Sequence, residues 1–127
     1  MSQATTLVYV AGPFSAKVRT GVEENIGRAT RLGLEVAKLG ACPMIPHANT
    51  QHPDFEHVQP YQFWIDATAE QLRRCDAVIF TDDWERSSGA RSENELAIDV
   101  GIPRFFHLAD LAGWLEQREE KKNAQTK

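Results

Sequence analysis

The chain has 127 residues, of which 42% are hydrophobic and 25% are charged, and its formal net charge is −4. This length predicts one domain with one sizeable core, and the excess of acidic groups argues against a broad basic surface for polymeric nucleic acid. No apolar run approaches the roughly 20 residues of a membrane span, and the N-terminus lacks the pattern of a signal peptide, so we expect a cytoplasmic protein.

The first half of the chain alternates strand and helix patterns. A short apolar run, Leu7 to Ala11, predicts a buried strand that ends in the turn Gly12-Pro13. A helix with one apolar face follows from about Thr20 to Gly40, and a short strand follows from Ala41 to Ile45. The segment from His47 to Pro60 is polar, lacks a hydrophobic period and carries two prolines, so we expect a long loop.

The second half continues the same alternation. Its predicted elements are a helix from Tyr61 to Arg74, a strand from Asp76 to Phe80, a helix from about Gly89 to Val100, a strand from Arg104 to Phe106 and a helix from Leu108 to about Glu120. The whole order predicts an α/β fold: a three-layer α/β/α sandwich with a parallel sheet of four or five strands in flavodoxin-like order. Residues 1–120 would form the single domain, and residues 121–127 a polar tail that frays.

One acidic turn stands at the end of this sheet where ligands bind in such folds, the carboxyl ends of the strands. The strand ending at Phe80 runs into Thr81-Asp82-Asp83-Trp84, then Ser87-Ser88-Gly89, with Glu93 expected in the first turn of the next helix. A helix N-terminus favours negative charge, so we expect Glu93 to be ionised, which suits a nucleophile better than a general acid. A glutamate that only complements the helix dipole is the alternative, and the neighbouring serines, glycine and tryptophan favour a site.

The first loop offers a second candidate contact. Gly12 directly follows a strand, which allows the backbone to approach a ligand closely, although an ordinary turn is equally consistent with it. The segment has neither a GxGxxG fingerprint nor a P-loop, so a dinucleotide or triphosphate cradle is not predicted. Trp84 would either stack on a planar base or pack as a hydrophobic lid. His47 follows a strand end and is a candidate hydrogen-bonding partner for substrate; the histidine spacing does not favour a metal site.

The candidate proton donors are all aspartates. Asp66 lies near the start of the helix that begins at Tyr61, where it points either to the strand ends or to solvent. Asp82 and Asp83 lie at the ligand end of the sheet, and burial beside Trp84 would raise the pKa of one of them. The residues alone leave this choice open.

Several short motifs resemble one known superfamily. They are Tyr9-Val10-Ala11-Gly12-Pro13-Phe14, Asn25, Pro46-His47, Asp66, Cys75-Asp76-Ala77-Val78 and the segment from Trp84 to Glu93. Together they cover most of residues 7–103, and the pattern Ser-x-Gly-x-x-x-Glu from Ser87 to Glu93 is the most specific. The chain resembles the nucleoside 2-deoxyribosyltransferase-like superfamily, which also contains nucleotide N-glycoside hydrolases, and within it a small bacterial and phage branch.

This resemblance implies a set of site residues. Glu93 would attack the anomeric carbon of the sugar, Tyr9 would orient the glutamate or the sugar, and Asp66 would help to protonate the departing base. The loop from Gly12 to Ser15 would contact the sugar or its 5′-phosphate, and a serine before the helix would hold the phosphate or sugar. With the candidates above, the predicted substrate-binding set is Gly12, Pro13, Phe14, Ser15, His47, Asp83, Trp84, Ser87, Ser88 and Gly89.

The predicted function is therefore cleavage of the N-glycosidic bond of a nucleoside or nucleoside 5′-monophosphate, by hydrolysis or by deoxyribosyl transfer. The expected partner is this small molecule, and no metal or organic cofactor is expected. The resemblance also implies a homodimer or homotetramer. The alternative is a non-catalytic nucleotide-binding or sensing module on the same fold, which would not need an ionised Glu93.

Overall fold

The structure, a computed structural model, describes residues 4–13, 19–50, 55 and 58–125. Its strands are β1 (Leu7–Ala11), β2 (Cys42–Met44), β3 (Ala77–Phe80) and β4 (Arg104–Phe105). Its helices are α1 (Arg19–Lys38), α2 (Pro46–Thr50), α3 (Tyr61–Arg73), α4 (Ser88–Val100) and α5 (Leu108–Gln125), with one 3₁₀ turn at Trp84–Arg86. The strands of the described residues form one parallel sheet in the order β2-β1-β3-β4, which confirms the predicted flavodoxin-like α/β fold.

Helices cover both faces of the sheet. Successive residues of the central strand β1 point to opposite faces, so the strand contributes side chains to a separate core on each face. Val8 and Val10 of β1 pack in a core with residues of α1 and α5. Tyr9 and Ala11 point the other way and pack with Leu72 of α3 and with residues of α4. The result is the predicted three-layer sandwich, and its second face carries the tyrosine that the sequence marked as a candidate.

Two segments differ from the sequence prediction. The beginning of the predicted long loop forms the short helix α2, and Pro46 is tolerated at its first position because the amide of that position needs no helical acceptor. At the other end, α5 continues to Gln125, through residues for which the composition predicted a fraying tail. Glutamate, lysine, glutamine and alanine are strong helix formers, so a polar composition does not by itself end a helix.

The sheet order places a crevice between β1 and β3. β2 pairs with one side of β1, and β3 pairs with the other side. The connections from β1 therefore run in opposite directions across the sheet, and open α/β sheets bind ligands at such a switch point. The two strand ends are tied together there, because the amide of Thr81 donates a hydrogen bond to the carbonyl oxygen of Ala11 at 2.9 Å. A Cβ on Gly12 would lie 2.5 Å from the Thr81 hydroxyl oxygen, so packing between the two loops already requires glycine here.

Candidate active site

The centre of the candidate site is a hydrogen bond between two residues that are 84 positions apart. Tyr9 lies in the middle of β1 and is 0% exposed, and its hydroxyl donates to Oε2 of Glu93 on α4. β1 and β3 are neighbouring parallel strands, and α4 follows β3 in the chain. The sheet order therefore brings Tyr9 on β1 close to Glu93 on α4. The structure thus joins the predicted nucleophile to the residue predicted to orient it.

Glu93 does not lie where the sequence placed it on the helix. Ser87 is the N-cap of α4, so Glu93 lies in the second turn, and the first turn holds no acidic residue. The helix dipole acts mainly within the first turn, so it cannot fix the charge of this carboxyl group. Burial instead raises the pKa of Glu93 to about 7, and the hydrogen bond from Tyr9 acts in the opposite direction. The expectation of a fully ionised Glu93 is therefore wrong near neutral pH.

Tyr9 stays a neutral phenol next to this carboxyl group. Burial raises the pKa of Tyr9 well above its ordinary value of 10, and the charge and hydrogen bond of Glu93 raise it further. A neutral phenol with one hydrogen can donate to a carboxylate but does not compete with it as a base. This contact agrees with the orienting role that the resemblance implied for Tyr9.

Thr68 is a third member of this group, and the sequence reasoning did not select it. The Thr68 hydroxyl on α3 lowers the pKa of Tyr9, against the effects of burial and of Glu93, and it donates to the carbonyl oxygen of Ile65 at 3.0 Å. Thr68 and Leu72 are four residues apart, so they share one face of the helix, and Leu72 is fully buried against the sheet. In the sequence, Thr68 could have been noticed as a hydroxyl residue on the apolar face of the predicted helix, four residues before Leu72.

The same helix geometry turns Asp66 away from the pair. It precedes Thr68 by two residues, which is a rotation of about 200° around the helix axis. Asp66 is exposed and accepts a hydrogen bond from Nε2 of Gln62 at 2.8 Å. The structure therefore does not bring Asp66 to Glu93 within one chain, although the sequence named it as the acid.

The loop aspartates have other contacts. Asp83 accepts a hydrogen bond from the Thr81 hydroxyl at 2.8 Å and forms an ion pair with Nη2 of Arg28 at 3.2 Å. Arg28 lies on α1 and also donates to the buried Asn25, so this network links α1 to the loop after β3. Asp83 thus holds the two sides of the crevice together, whereas Asp82 is exposed.

The start of α4 is shaped by a cap. The Ser87 hydroxyl accepts a hydrogen bond from the amide of Ala90 at 3.1 Å, which satisfies one of the free amide groups at the helix start. Ser88 and Gly89, the next two residues, are exposed. The structure thus gives Ser87 a structural role, and it leaves Ser88 and Gly89 accessible at a helix end that favours anions.

Trp84 packs against the domain. Its ring centroid lies 5.1 Å from that of Phe80 and 5.5 Å from that of Phe106, and it adjoins the core between the sheet, α3 and α4. Of the two alternatives for this residue, the structure therefore shows the hydrophobic lid. A stacking contact with a base stays a prediction.

His47 holds the loop that follows β1 through a contact with its backbone. It is 5% exposed, and its Nε2 lies 3.0 Å from the carbonyl oxygen of Pro13, to which it donates because a carbonyl only accepts. Burial lowers the pKa of His47, so the imidazole is neutral. The contact seen is with the loop rather than with the Tyr9–Glu93 pair. Phe14 and Ser15, which the sequence assigned to substrate, lie outside the described residues.

The described part of the chain also bears on metal sites and on membrane-spanning helices. In these residues, no group of three or more histidine, cysteine or acidic side chains could hold a metal ion. None of the described helices is both long and apolar enough to cross a membrane.

Comparison with known proteins gives one family and two similar folds. The profile of the family described as "Domain of unknown function (DUF4406)" matches residues 6–105. A conserved protein from Enterococcus faecalis V583 superposes with a TM-score of 0.65 at 21% identity, over 80% of this chain and 62% of that protein, so this chain spans less than two thirds of its length. A 2-deoxyribosyltransferase from Bacillus psychrosaccharolyticus superposes with a TM-score of 0.61 at 19% identity, over 78% of this chain and 69% of the enzyme.

No curated protein matches the sequence significantly. At identities of about one in five, the two structural matches show a shared fold. They confirm that the resemblance noted in the sequence holds at the level of the fold, and the narrower bacterial and phage branch stays a prediction.

Proposed function

Because the chain belongs to the family described as "Domain of unknown function (DUF4406)" and folds like a 2-deoxyribosyltransferase, we propose that it cleaves the N-glycosidic bond of a nucleoside or nucleoside 5′-monophosphate. The observation that carries this proposal is the hydrogen bond from the buried Tyr9 hydroxyl to Glu93. It supports the proposal because Glu93 is an oriented carboxyl group with a raised pKa, on the helix that follows β3, and such folds bind ligands at the carboxyl ends of their strands.

In the proposed reaction the ionised form of Glu93 attacks the anomeric carbon of the sugar. The bond to the base breaks, its electron pair leaves with the base, and a glycosyl ester forms on Glu93. Water, or a second base, then attacks the same carbon and releases the carboxylate. The raised pKa leaves Glu93 partly protonated near neutral pH, and it makes the ionised carboxylate more basic than an exposed one. The donation from Tyr9 stabilises the ionised form and fixes its orientation.

The departing base requires a proton, and one chain does not bring Asp66 to Glu93. The exposed Asp66 faces away from the sheet on the outer side of α3. In a homodimer or homotetramer, which the resemblance implies, this carboxyl group would be free to serve the site of a neighbouring subunit. Hydrolysis and transfer differ only in what attacks the ester, so both remain within the proposal.

The accessible start of α4 is the proposed contact for the sugar or its 5′-phosphate. Ser88 and Gly89 are exposed there, one to two turns before Glu93 on the same helix. Backbone amides and the helix dipole favour an anion at such an end by about 0.3–1 kcal/mol. Ser87 would support this contact indirectly, because it caps the helix.

A panel of nucleosides and nucleoside monophosphates tests the proposal by chromatographic detection of free base. The wild-type protein is expected to release base from at least one of them, and Glu93→Gln is expected to release none while staying folded. Glu95→Gln is the matched control, because Glu95 is an exposed residue two positions along the same helix. Wild-type turnover in Glu93→Gln would rule out the nucleophile, and no release by wild-type protein would rule out the activity.

The second candidate is a non-catalytic nucleotide-binding module. The raised pKa of Glu93 favours it, because a protonated carboxyl group bonded to Tyr9 is a stable polar pair with no need for chemistry. Such a module would bind a nucleotide without releasing base, and Glu93→Gln would bind equally well. Calorimetry on both proteins separates this outcome from turnover.

A further inference from the structure

A cavity lies at the end of the sheet opposite to the loops that follow β1 and β3. Its volume is about 350 Å³, and it is enclosed by Thr6, which precedes β1, by Leu39 and Gly40, which precede β2, and by the second half of α5. Small-molecule sites have volumes of roughly 300–1,000 Å³, so this cavity is large enough for a small ligand. It shares no lining residue with the candidate active site.

The face of α5 that lines this cavity changes from apolar to basic along the helix. Leu111 is fully buried in the core between the sheet, α1 and α5, and Leu115 packs against the same core. Arg118 and Lys122 continue this stripe, because residues three, four and seven positions apart share one face of a helix. Both basic side chains line the cavity and are partly buried. Two positive charges therefore occupy positions where simple packing would favour apolar side chains.

The guanidinium group of Arg118 is held in place, but its donors are unused. It lies 4.8 Å from the ring centroid of Trp114, one turn earlier on α5. Its Nη2 lies 3.8 Å from Oδ1 of Asp76, which is an ion pair but is too long for a hydrogen bond. Among the residues that the structure describes, none accepts a hydrogen bond from Arg118. Its side chain is 34% exposed, so the group can be reached by an acceptor from outside the chain.

The other lining residues indicate which kind of ligand fits. Lys122 uses one of its three hydrogens on the carbonyl oxygen of Ala4, at 3.2 Å, and keeps two. The acidic lining residues, Glu116 and Glu119, are exposed, whereas Arg118 and Lys122 are partly buried, so the inner charge of the cavity is positive. The apolar part of the wall consists of Leu39, Ala112 and Leu115.

We propose that this cavity binds a small organic anion, a carboxylate or a phosphate ester with an apolar part. The planar fork of Arg118 matches two oxygens of either group, and its contact with Trp114 orients it before the ligand arrives. Lys122 adds a second positive charge, and Leu39 and Leu115 contact the apolar part. The site does not involve Glu93, so it is independent of the proposed cleavage reaction.

The test is an NMR titration of the nitrogen-15-labelled whole protein with benzoate and, separately, with phenyl phosphate. Benzyl alcohol and benzylamine carry the same ring with a neutral or a positive group. At least one anion should shift the amide signals of Thr6, Gly40 and Leu115 to saturation, whereas the two control compounds should not. The anion that binds more tightly identifies the ligand group as carboxylate or phosphate.

Variants of Arg118 then connect binding to the guanidinium group. Arg118→Met keeps the apolar stem and should raise the Kd about 10- to 100-fold, as expected for the loss of hydrogen bonds to a charged group. Arg118→Lys should bind more weakly than wild type, because an ammonium group lacks the planar fork. Arg104→Met is the matched control and should leave the Kd unchanged. Arg104 also lies over a ring, 5.8 Å from the centroid of Phe106, but it donates to Asn94 at 2.8 Å and lies outside the cavity.

Three results would overturn the proposal. They are no saturable shift with either anion, equal binding of benzyl alcohol, which would mean an apolar cavity without anion recognition, and an unchanged Kd in Arg118→Met. If Arg118→Met does not fold, Arg118→Lys makes the comparison, and a wild-type Kd in that variant would contradict the role of the fork. The titration requires no turnover, so its outcome is separate from that of the base-release assay.

Discussion

Glu93→Gln should stabilise the protein at alkaline pH, because the wild-type site keeps a carboxylate in a place where burial disfavours its charge. The pKa of Glu93 is about 7 in the folded protein, against an ordinary value of 4.5. Between these two values the folded state binds more protons than the unfolded state, so the free energy of unfolding falls as the pH rises. At 1.36 kcal/mol for each unit of pKa difference, the full loss is up to about 3 kcal/mol. It is complete above about pH 8 and absent below about pH 4.

The assay is urea unfolding of both proteins at several values between pH 4 and pH 9. Glutamine keeps the shape of the side chain and an oxygen that can accept from Tyr9, so the two proteins should be about equally stable near pH 4. Their difference should then grow with pH to roughly 2–3 kcal/mol in favour of Glu93→Gln. Glu95→Gln, at an exposed position, should run parallel to wild type. A constant difference across this range would refute the reasoning, since it would mean that Glu93 titrates alike in both states.

Three further predictions follow from the same geometry. Tyr9→Phe removes the only described donor to Glu93, so the pKa of Glu93 should rise. Base release at pH 7 should fall about 10- to 100-fold, as expected for the loss of a hydrogen bond to a charged group. A smaller loss in the release assay would argue against an orienting role for Tyr9. If Glu93 is the nucleophile, kcat/KM should rise with pH through a midpoint near 7, whereas a fall through this midpoint would mark Glu93 as an acid. Gly12→Ala should lower the free energy of unfolding by about 1–3 kcal/mol, because the new Cβ would lie 2.5 Å from the Thr81 hydroxyl oxygen. Gly113→Ala, where a Cβ meets open space on α5, should not lower the stability measured in urea, and an equal loss in both variants would contradict the packing explanation.

The fold could be predicted because its signals are local. Continuous apolar runs such as Leu7 to Ala11 are typical of strands buried on both faces, and their alternation with helices leaves few arrangements other than a parallel sheet. The end of α4 at Gly101 is also local, since it depends on what a glycine backbone permits. Gly101 has a positive φ of 79°, as a helix C-terminus often requires.

The details of the site could not be predicted, because they depend on how whole elements pack. The side of α3 that meets the sheet decides that Leu72 is buried while Asp66 faces solvent, and the spacing of apolar residues alone did not fix this rotation. The ion pair of Asp83 with Arg28 joins residues that are distant along the chain. The charge state of Glu93 depends on its burial, whereas the sequence suggested only the helix dipole.

The most direct test of the central claim is to trap a glycosyl ester on Glu93. A nucleoside with fluorine at C2′ of the sugar slows both steps by destabilising positive charge at the anomeric carbon, and an ester that forms faster than it is hydrolysed accumulates. Mass spectrometry of the intact protein and of its peptides should show one added sugar, located on Glu93, in wild type and in Glu95→Gln but not in Glu93→Gln. Base release with the adduct on another residue, or with no adduct at Glu93 under conditions that trap an ester, would contradict the account.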